Sequence, residues 1–211
     1  MGQRWLFLDV ETTGSTPTRD RVTEVAWVLL DDATGEVTRE SHLVNPDARI
    51  PPFIQQLTGI TDEMVAQAPR FSAVAPKLAE AMAGAVFVAH NARFDYGFIK
   101  NEFKRLGQVV RAPVMCSVKL SRLFFPGEKR HNLDAVMARH GLHADSRHRA
   151  LTDADLIYQF WMALQQQFGE AAVLSAAKSL LTQSSWPSHL DADTLDEMPD
   201  TPGVYIFYGD K

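Results

Sequence analysis

Arg4-Trp5-Leu6-Phe7-Leu8-Asp9-Val10-Glu11 is the stretch on which the fold turns. It is short, apolar and rich in β-formers, and it predicts a strand. Side chains at i and i+2 of a strand share a face, so Asp9 and Glu11 stand side by side, on the face of Trp5 and Phe7. Two neighbouring carboxylates are costly unless something positive sits between them. A hard divalent cation with oxygen ligands is the natural compensation. A solvated acid pair at a strand end is the plain alternative, and it is common for D-x-E alone. Outward from this strand, Arg21–Asp31 and Glu36–Val44 read as two more, joined through the turn cluster of residues 31–35. Their close spacing predicts an antiparallel meander.

Beyond the meander the texture changes. Pro51-Pro52 open a short helix through Leu57, and Thr61–Glu63 and Phe71–Ala83 look helical. Ala85–Ala89 is a buried strand. Ala92–Leu106 places Phe94, Phe98, Ile99, Phe103 and Leu106 at helical spacing. Val114–Ser117 is a further strand, and Leu133–His140, Ala154–Phe168 and Ala171–Leu181 are helices. A meander followed by alternating helix and strand predicts an α/β protein: a mixed central sheet, antiparallel then parallel, flanked by helices.

The 211 residues are 45% hydrophobic and 22% charged, which excludes a disordered chain, a collagen or a disulfide scaffold. Cys116 is the single cysteine, so no internal disulfide and no multi-cysteine zinc site is available. It is expected to be a small buried apolar residue. No apolar run approaches the roughly 20 residues of a membrane helix, and the N-terminus has no signal-peptide layout. A cytoplasmic protein without a membrane partner is the expectation. The net charge of −5 is uneven: residues 90–150 hold 12 basic and 5 acidic side chains, residues 182–211 one and six. Residues 1–181 are therefore balanced, at 20 against 20. This divides the chain into a domain at 1–181, a polar acidic linker at 182–200 and a short strand-like tail at 201–211.

Two downstream segments repeat the chemistry of Asp9 and Glu11. His90-Asn91-Ala92-Arg93-Phe94-Asp95 follows the buried strand and opens a helix that Asn91 can cap. His148-Arg149-Ala150-Leu151-Thr152-Asp153 opens another. Singly, each is also explained by an acid at a helix N-terminus. Jointly, with Asp9-Val10-Glu11-Thr12-Thr13-Gly14, they match three motifs in order and spacing. Over residues 4–168 the sequence resembles the DEDDh, or DnaQ-like, 3′–5′ exonucleases, a family that includes the proofreading subunit of the bacterial replicative polymerase. His148 stands five residues before Asp153 and Arg149 occupies the place of the tyrosine of the sister class, which marks the histidine class.

The resemblance implies a ribonuclease H-like fold and two Mg²⁺ or Mn²⁺ ions about 4 Å apart that clamp the attacking and leaving oxygens of an in-line displacement. By resemblance, Asp9, Glu11 and Asp153 hold one ion and Asp9 and Asp95 the other. His148 takes a proton from the attacking water. Thr12, Thr13, Leu57, Thr58, Asn91 and Phe94 are candidates for substrate contact. For Phe94, core packing is the stronger reading. Arg93, Lys100, Lys104, Arg105, Lys129, Arg130, Arg147 and Arg149 supply the basic excess, read as a groove for a polyanion, with a solvated helix surface as the alternative.

Residues Leu195–Phe207, with Gly203-Val204-Tyr205, resemble the entry to a GIY-YIG nuclease domain, so the expectation is a piece of a longer two-nuclease chain or an exonuclease with a vestigial strand. Three functions stay open. One is exonuclease action on single-stranded or frayed 3′ ends of DNA, in proofreading or repair and in company with a polymerase or repair complex. The second is the same chemistry on RNA ends. The third is a non-catalytic nucleic-acid-binding or polymerase-associated module. Clustered carboxylates repel phosphate, which argues against the third, and the tail tilts the choice towards DNA.

Overall fold

The computed structural model describes residues 2–144 and 149–182. His148, the remainder of the linker from residue 183 and the tail lie outside the described residues. Five strands, β1 (Arg4–Thr12), β2 (Val22–Asp31), β3 (Glu36–Leu43), β4 (Ala85–Ala89) and β5 (Val114–Cys116), form one sheet in the order β3-β2-β1-β4-β5. The first three make the expected antiparallel meander, and β4 and β5 add in parallel. Three helices stand between β3 and β4: α1 (Pro52–Thr58), α2 (Asp62–Ala66) and α3 (Phe71–Met82). The others are α4 (Ala92–Arg105), α5 (Ser117–Phe124), α6 (Leu133–His140), α7 (Ala150–Phe168) and α8 (Glu170–Thr182). Among the described residues no helix is long and apolar enough to cross a membrane.

β1 is the central strand and is apolar on both faces, as a strand covered on both sides must be. Leu6, Leu8 and Val10 face a core shared with α3 and α4, including Leu78, Phe98 and Phe103. Trp5 and Phe7 face the opposite core, built with α7. There Trp5 stacks on Trp161 with centroids 4.5 Å apart, and Phe7 meets Tyr158 edge-on at 5.6 Å. The alternation continues past the apolar residues, so Asp9 and Glu11 point to the α7 side. The outer strand β3 carries Glu36, Arg39 and Glu40, charges suited to an exposed sheet edge.

Two elements differ from the sequence reading. Helix α5 was not anticipated, because Cys116 ends a strand and Ser117 begins a helix with no turn residue between them. Helix α7 begins at Ala150, four residues before the apolar periodicity does, and this places Asp153 in its first turn.

Candidate active site

β1 outruns its parallel neighbour. Its pairing with β4 stops at Phe7↔Val88, whereas its pairing with β2 continues to Thr12. Asp9–Thr12 therefore has an open flank beyond the end of β4, a place where sheets of this kind leave room for ligands. Helix α4 starts just past β4 and turns Asp95 back into that space. The Val10 N–H donates to Asp95 Oδ1 at 3.3 Å, filling the place of a lost ladder bond. Helix α7 approaches from the other face and supplies Asp153. Carboxylate oxygens of Asp9, Glu11 and Asp153 all lie within 4.8 Å of one another. Asp9 and Glu11 are half-buried and Asp153 is buried.

Three converging carboxylates, with a fourth behind them, are a hard oxygen donor set of the kind Mg²⁺ and Mn²⁺ prefer. The electrostatics agree. Asp95 is 2% exposed, and burial pushes its carboxyl up to about 8, with Glu11 adding to the rise against the hydrogen bonds from its own and Val10's backbone. A cation beside these groups would offset that cost.

The first motif's other residues shape the turn after β1. Thr12 Oγ1 donates to the Gly14 carbonyl at 2.6 Å, and Thr13 Oγ1 accepts from the Arg21 N–H at 3.0 Å. A Cβ on Gly14 would stand 2.5 Å from Asp20 Oδ2, so a side chain there would have to push the Asp20 carboxylate off the Thr16 N–H, from which it accepts at 2.7 Å. The Thr58 hydroxyl is likewise engaged, donating to Ile54 O and accepting from Ile60 N–H. Leu57 is 53% exposed beside Phe53 at 67%, an apolar face open to a ligand. Asn91 is exposed at φ 75° and makes no side-chain cap, unlike the expectation; its backbone turn sets the start of α4. Phe94 packs on Phe98 at 4.9 Å and on the β1 core, which favours its packing role.

Sequence reasoning did not find two buried glutamates that brace the site. Glu24 on β2 is 1% exposed and takes Arg149 Nη2 at 2.7 Å, Arg149 Nε at 3.1 Å and the Ala150 N–H at 3.0 Å. Glu102 on α4, also 1% exposed, takes Arg21 Nε at 2.8 Å, Arg21 Nη2 at 3.0 Å and the Val22 N–H at 3.2 Å, with Arg105 Nη1 at 3.1 Å. Both arginines titrate above their ordinary value, in each case first through the hydrogen bond to the glutamate. Arg105 and Arg149 are thus each tied to a buried glutamate, with 27% and 39% of their side chains still exposed. Arg93 and Lys104 are exposed on α4.

Residues 6–160 match the family model RNase_T, described as exonuclease. The chain belongs to this exonuclease family. Among its relatives, the 3′–5′ exonuclease DinG of Bacillus subtilis is 41% identical over 157 residues, covering 73% of this chain and 17% of DinG. Mycobacterium tuberculosis MT2247, proposed by its name to be a bifunctional exonuclease/endonuclease, is 34% identical over 217 residues, covering 97% of this chain and 33% of that protein. The chain therefore spans a third or less of these relatives. Among solved structures, exonuclease X in complex with 5′-overhanging duplex DNA superimposes with a TM-score of 0.67 at 26% identity, over 84% of this chain and 99% of that one. The exonuclease fold so described is the mixed sheet with flanking helices that the sequence predicted.

Proposed function

We propose that this exonuclease domain hydrolyses phosphodiester bonds at the 3′ ends of DNA and releases nucleoside 5′-monophosphates. The observation that carries the reading is the convergence of Asp9, Glu11 and Asp153 within 4.8 Å, with Asp95 bonded behind them. Asp9, Glu11 and Asp153 would hold one divalent ion, Mg²⁺ or Mn²⁺, and Asp9 with Asp95 a second. Such ions acidify the attacking water and neutralise charge on the phosphate. His148 accepts the water's proton, as a group that titrates near neutral pH can. The exposed Leu57 and Phe53 face supports the terminal base, and Arg93 and Lys104 neutralise backbone phosphates.

The naming of DinG as a 3′–5′ exonuclease supports the polarity, and the DNA bound to exonuclease X supports the substrate. A polymerase or repair assembly is the partner this substrate suits. The tail at 201–211 is the entry to a second, GIY-YIG-type nuclease domain in this reading. The test is release of label from 3′-labelled single-stranded DNA, mismatched duplex DNA and short RNA, each with Mg²⁺, Mn²⁺ or EDTA. Metal-dependent release of mononucleotide from DNA is expected. Release that ignores EDTA, or release from RNA alone, overturns the reading.

A further inference from the structure

A cavity of about 450 Å³ opens on the β2–β3 side of β1, with Glu24, Ser41, His42, Met64, Gln67 and Arg149 among its lining residues. Glu24 pairs with Glu11 across the β1–β2 ladder, so the cavity begins one strand away from the acid cluster. Glu24 is 1% exposed and its charge is covered by Arg149, bound through Nε at 3.1 Å and Nη2 at 2.7 Å. Nη1 stays outside that fork, and 39% of the Arg149 side chain is exposed. The guanidinium stays charged, since the hydrogen bond to Glu24 raises its pKa first and Glu11 adds to the rise. A planar guanidinium fixed by one carboxylate is preorganised to offer its remaining N–H groups to a second oxyanion. Gln67 adds an exposed carboxamide.

The two sides of β1 differ. Helix α4, with Arg93 and Lys104, follows β4 on one side, and the cavity lies towards β2 and β3 on the other. A DNA strand whose retained backbone follows α4 and which is cut at β1 places its last nucleotide, and any group on that nucleotide's 3′ oxygen, on the cavity side. We propose that the cavity admits a 3′-terminal phosphate, with Arg149 as its ligand, so that the domain removes nucleotides from DNA ends blocked by a 3′-phosphate as well as from 3′-hydroxyl ends. The inference rests on the proposed 3′-end hydrolysis. A phosphate monoester brings a charge of about −1.5 to −2 and strong acceptor oxygens, which suit a fixed guanidinium. The bonds that change are the same on either end. Water's oxygen bonds to phosphorus, the bond from phosphorus to the preceding nucleotide's 3′ oxygen breaks, and that oxygen takes a proton. The products are a shortened chain with a 3′-hydroxyl and a nucleoside 3′,5′-bisphosphate.

The test uses the full chain with Mg²⁺ and two oligonucleotides of one sequence, one ending in a 3′-hydroxyl and the other in a 3′-phosphate, with mass spectrometry reading the first product released. Nucleoside bisphosphate is expected from the phosphate-ended strand. Inorganic phosphate in its place, or no cleavage of that strand while the hydroxyl-ended one is cleaved, overturns the inference alone. A parent chain that cleaves neither removes the function reading and this inference together. The ratio of kcat/KM on the two ends reports the subsite, because a general loss of activity cancels in it. Arg149→Lys, which keeps a charge beside Glu24 and loses the fork, is expected to lower the phosphate-to-hydroxyl ratio about tenfold, the worth of one charge-assisted hydrogen bond. Gln67→Glu sets a repelling charge at an exposed position of the cavity and is expected to lower the ratio about threefold. A ratio unchanged in either folded variant overturns the inference. If Arg149→Lys melts before it can be assayed, Gln67→Glu decides.

Discussion

Glu102→Ala removes the carboxylate that ties the turn after β1 to helix α4. In the folded chain that group accepts from Arg21 through two nitrogens, from the Val22 backbone and from Arg105. Breaking a buried ion pair from one side costs about 3–5 kcal/mol when the remaining charge stays dry. Here the two arginine side chains are 26% and 27% exposed, so each regains part of its hydration. The Val22 N–H, in a buried residue, does not, and an unsatisfied buried donor costs about 1–3 kcal/mol. The expected loss is about 2–4 kcal/mol. Measured by urea unfolding, with a slope of about 2 kcal/mol/M, the midpoint falls by about 1–2 M. Glu102→Gln keeps acceptors for Arg21 and Val22 and should lose less. Combining Glu102→Ala with Arg21→Ala should cost less than the sum of the two, because each alone strands the other. Arg105 also donates to the Pro17 and Asp20 carbonyls, so the turn loosens and the KM for DNA rises more than kcat falls. A Glu102→Ala chain within 1 kcal/mol of the parent, or strict additivity with Arg21→Ala, would refute the reasoning.

Other perturbations separate the roles assigned above. Asp9→Ala and Asp153→Asn should each abolish metal-dependent cleavage while the chain still melts cooperatively; full activity in either sinks the proposed function. Leu57→Ala should cost under about 1 kcal/mol of stability, as an exposed site does, yet raise KM; Phe94→Ala should instead lose about 2–4 kcal/mol by leaving a cavity beside Phe98, and a stability unchanged by it would restore its claim as a substrate contact. His140 packs between Phe125 and Phe160, and burial, with Arg139 second, holds its pKa below the ordinary value. Its neutral form is the one the fold prefers, so stability is full above about pH 6.5 and is lost as pH falls through the folded value. Unfolding followed from pH 7.5 to 5 should show this slope, and His140→Leu should flatten it.

The run Arg4–Leu8 needed no tertiary information to be read as a strand, because a short apolar stretch rich in aromatic residues and the strand's period of two are local properties. The same period placed Asp9 and Glu11 on one face with Trp5 and Phe7, and Trp161 and Tyr158 now stand against that face. Asp95 and Asp153 stand out by motif spacing; Asp153 converges with the first pair, and Asp95 accepts from the Val10 N–H. Other features were not legible. Helix α5 starts without a turn residue, so no local signal announced it. Nothing local sets Glu24 apart from other polar residues of a strand, or Glu102 from other acids of a helix; their partners Arg149 and Arg21 are distant in sequence. The basic excess of residues 90–150 reads as one surface, although Arg105 and Arg149 are each ion-paired to a buried glutamate.

The sequence by itself determined the strand meander, the helices with clear apolar periodicity and which acids are candidates for the chemistry, because alternation, helical spacing and motif order are properties read along the chain. Only the tertiary structure decided which acids converge on one another and which are tied to an arginine. Glu11 and Glu24 are the same residue type on adjacent strands, in register with each other. Glu24 takes Arg149, 125 residues further along the chain, whereas Glu11 converges with Asp9 and Asp153. An ion pair across that distance exists only once α7 has packed on the sheet.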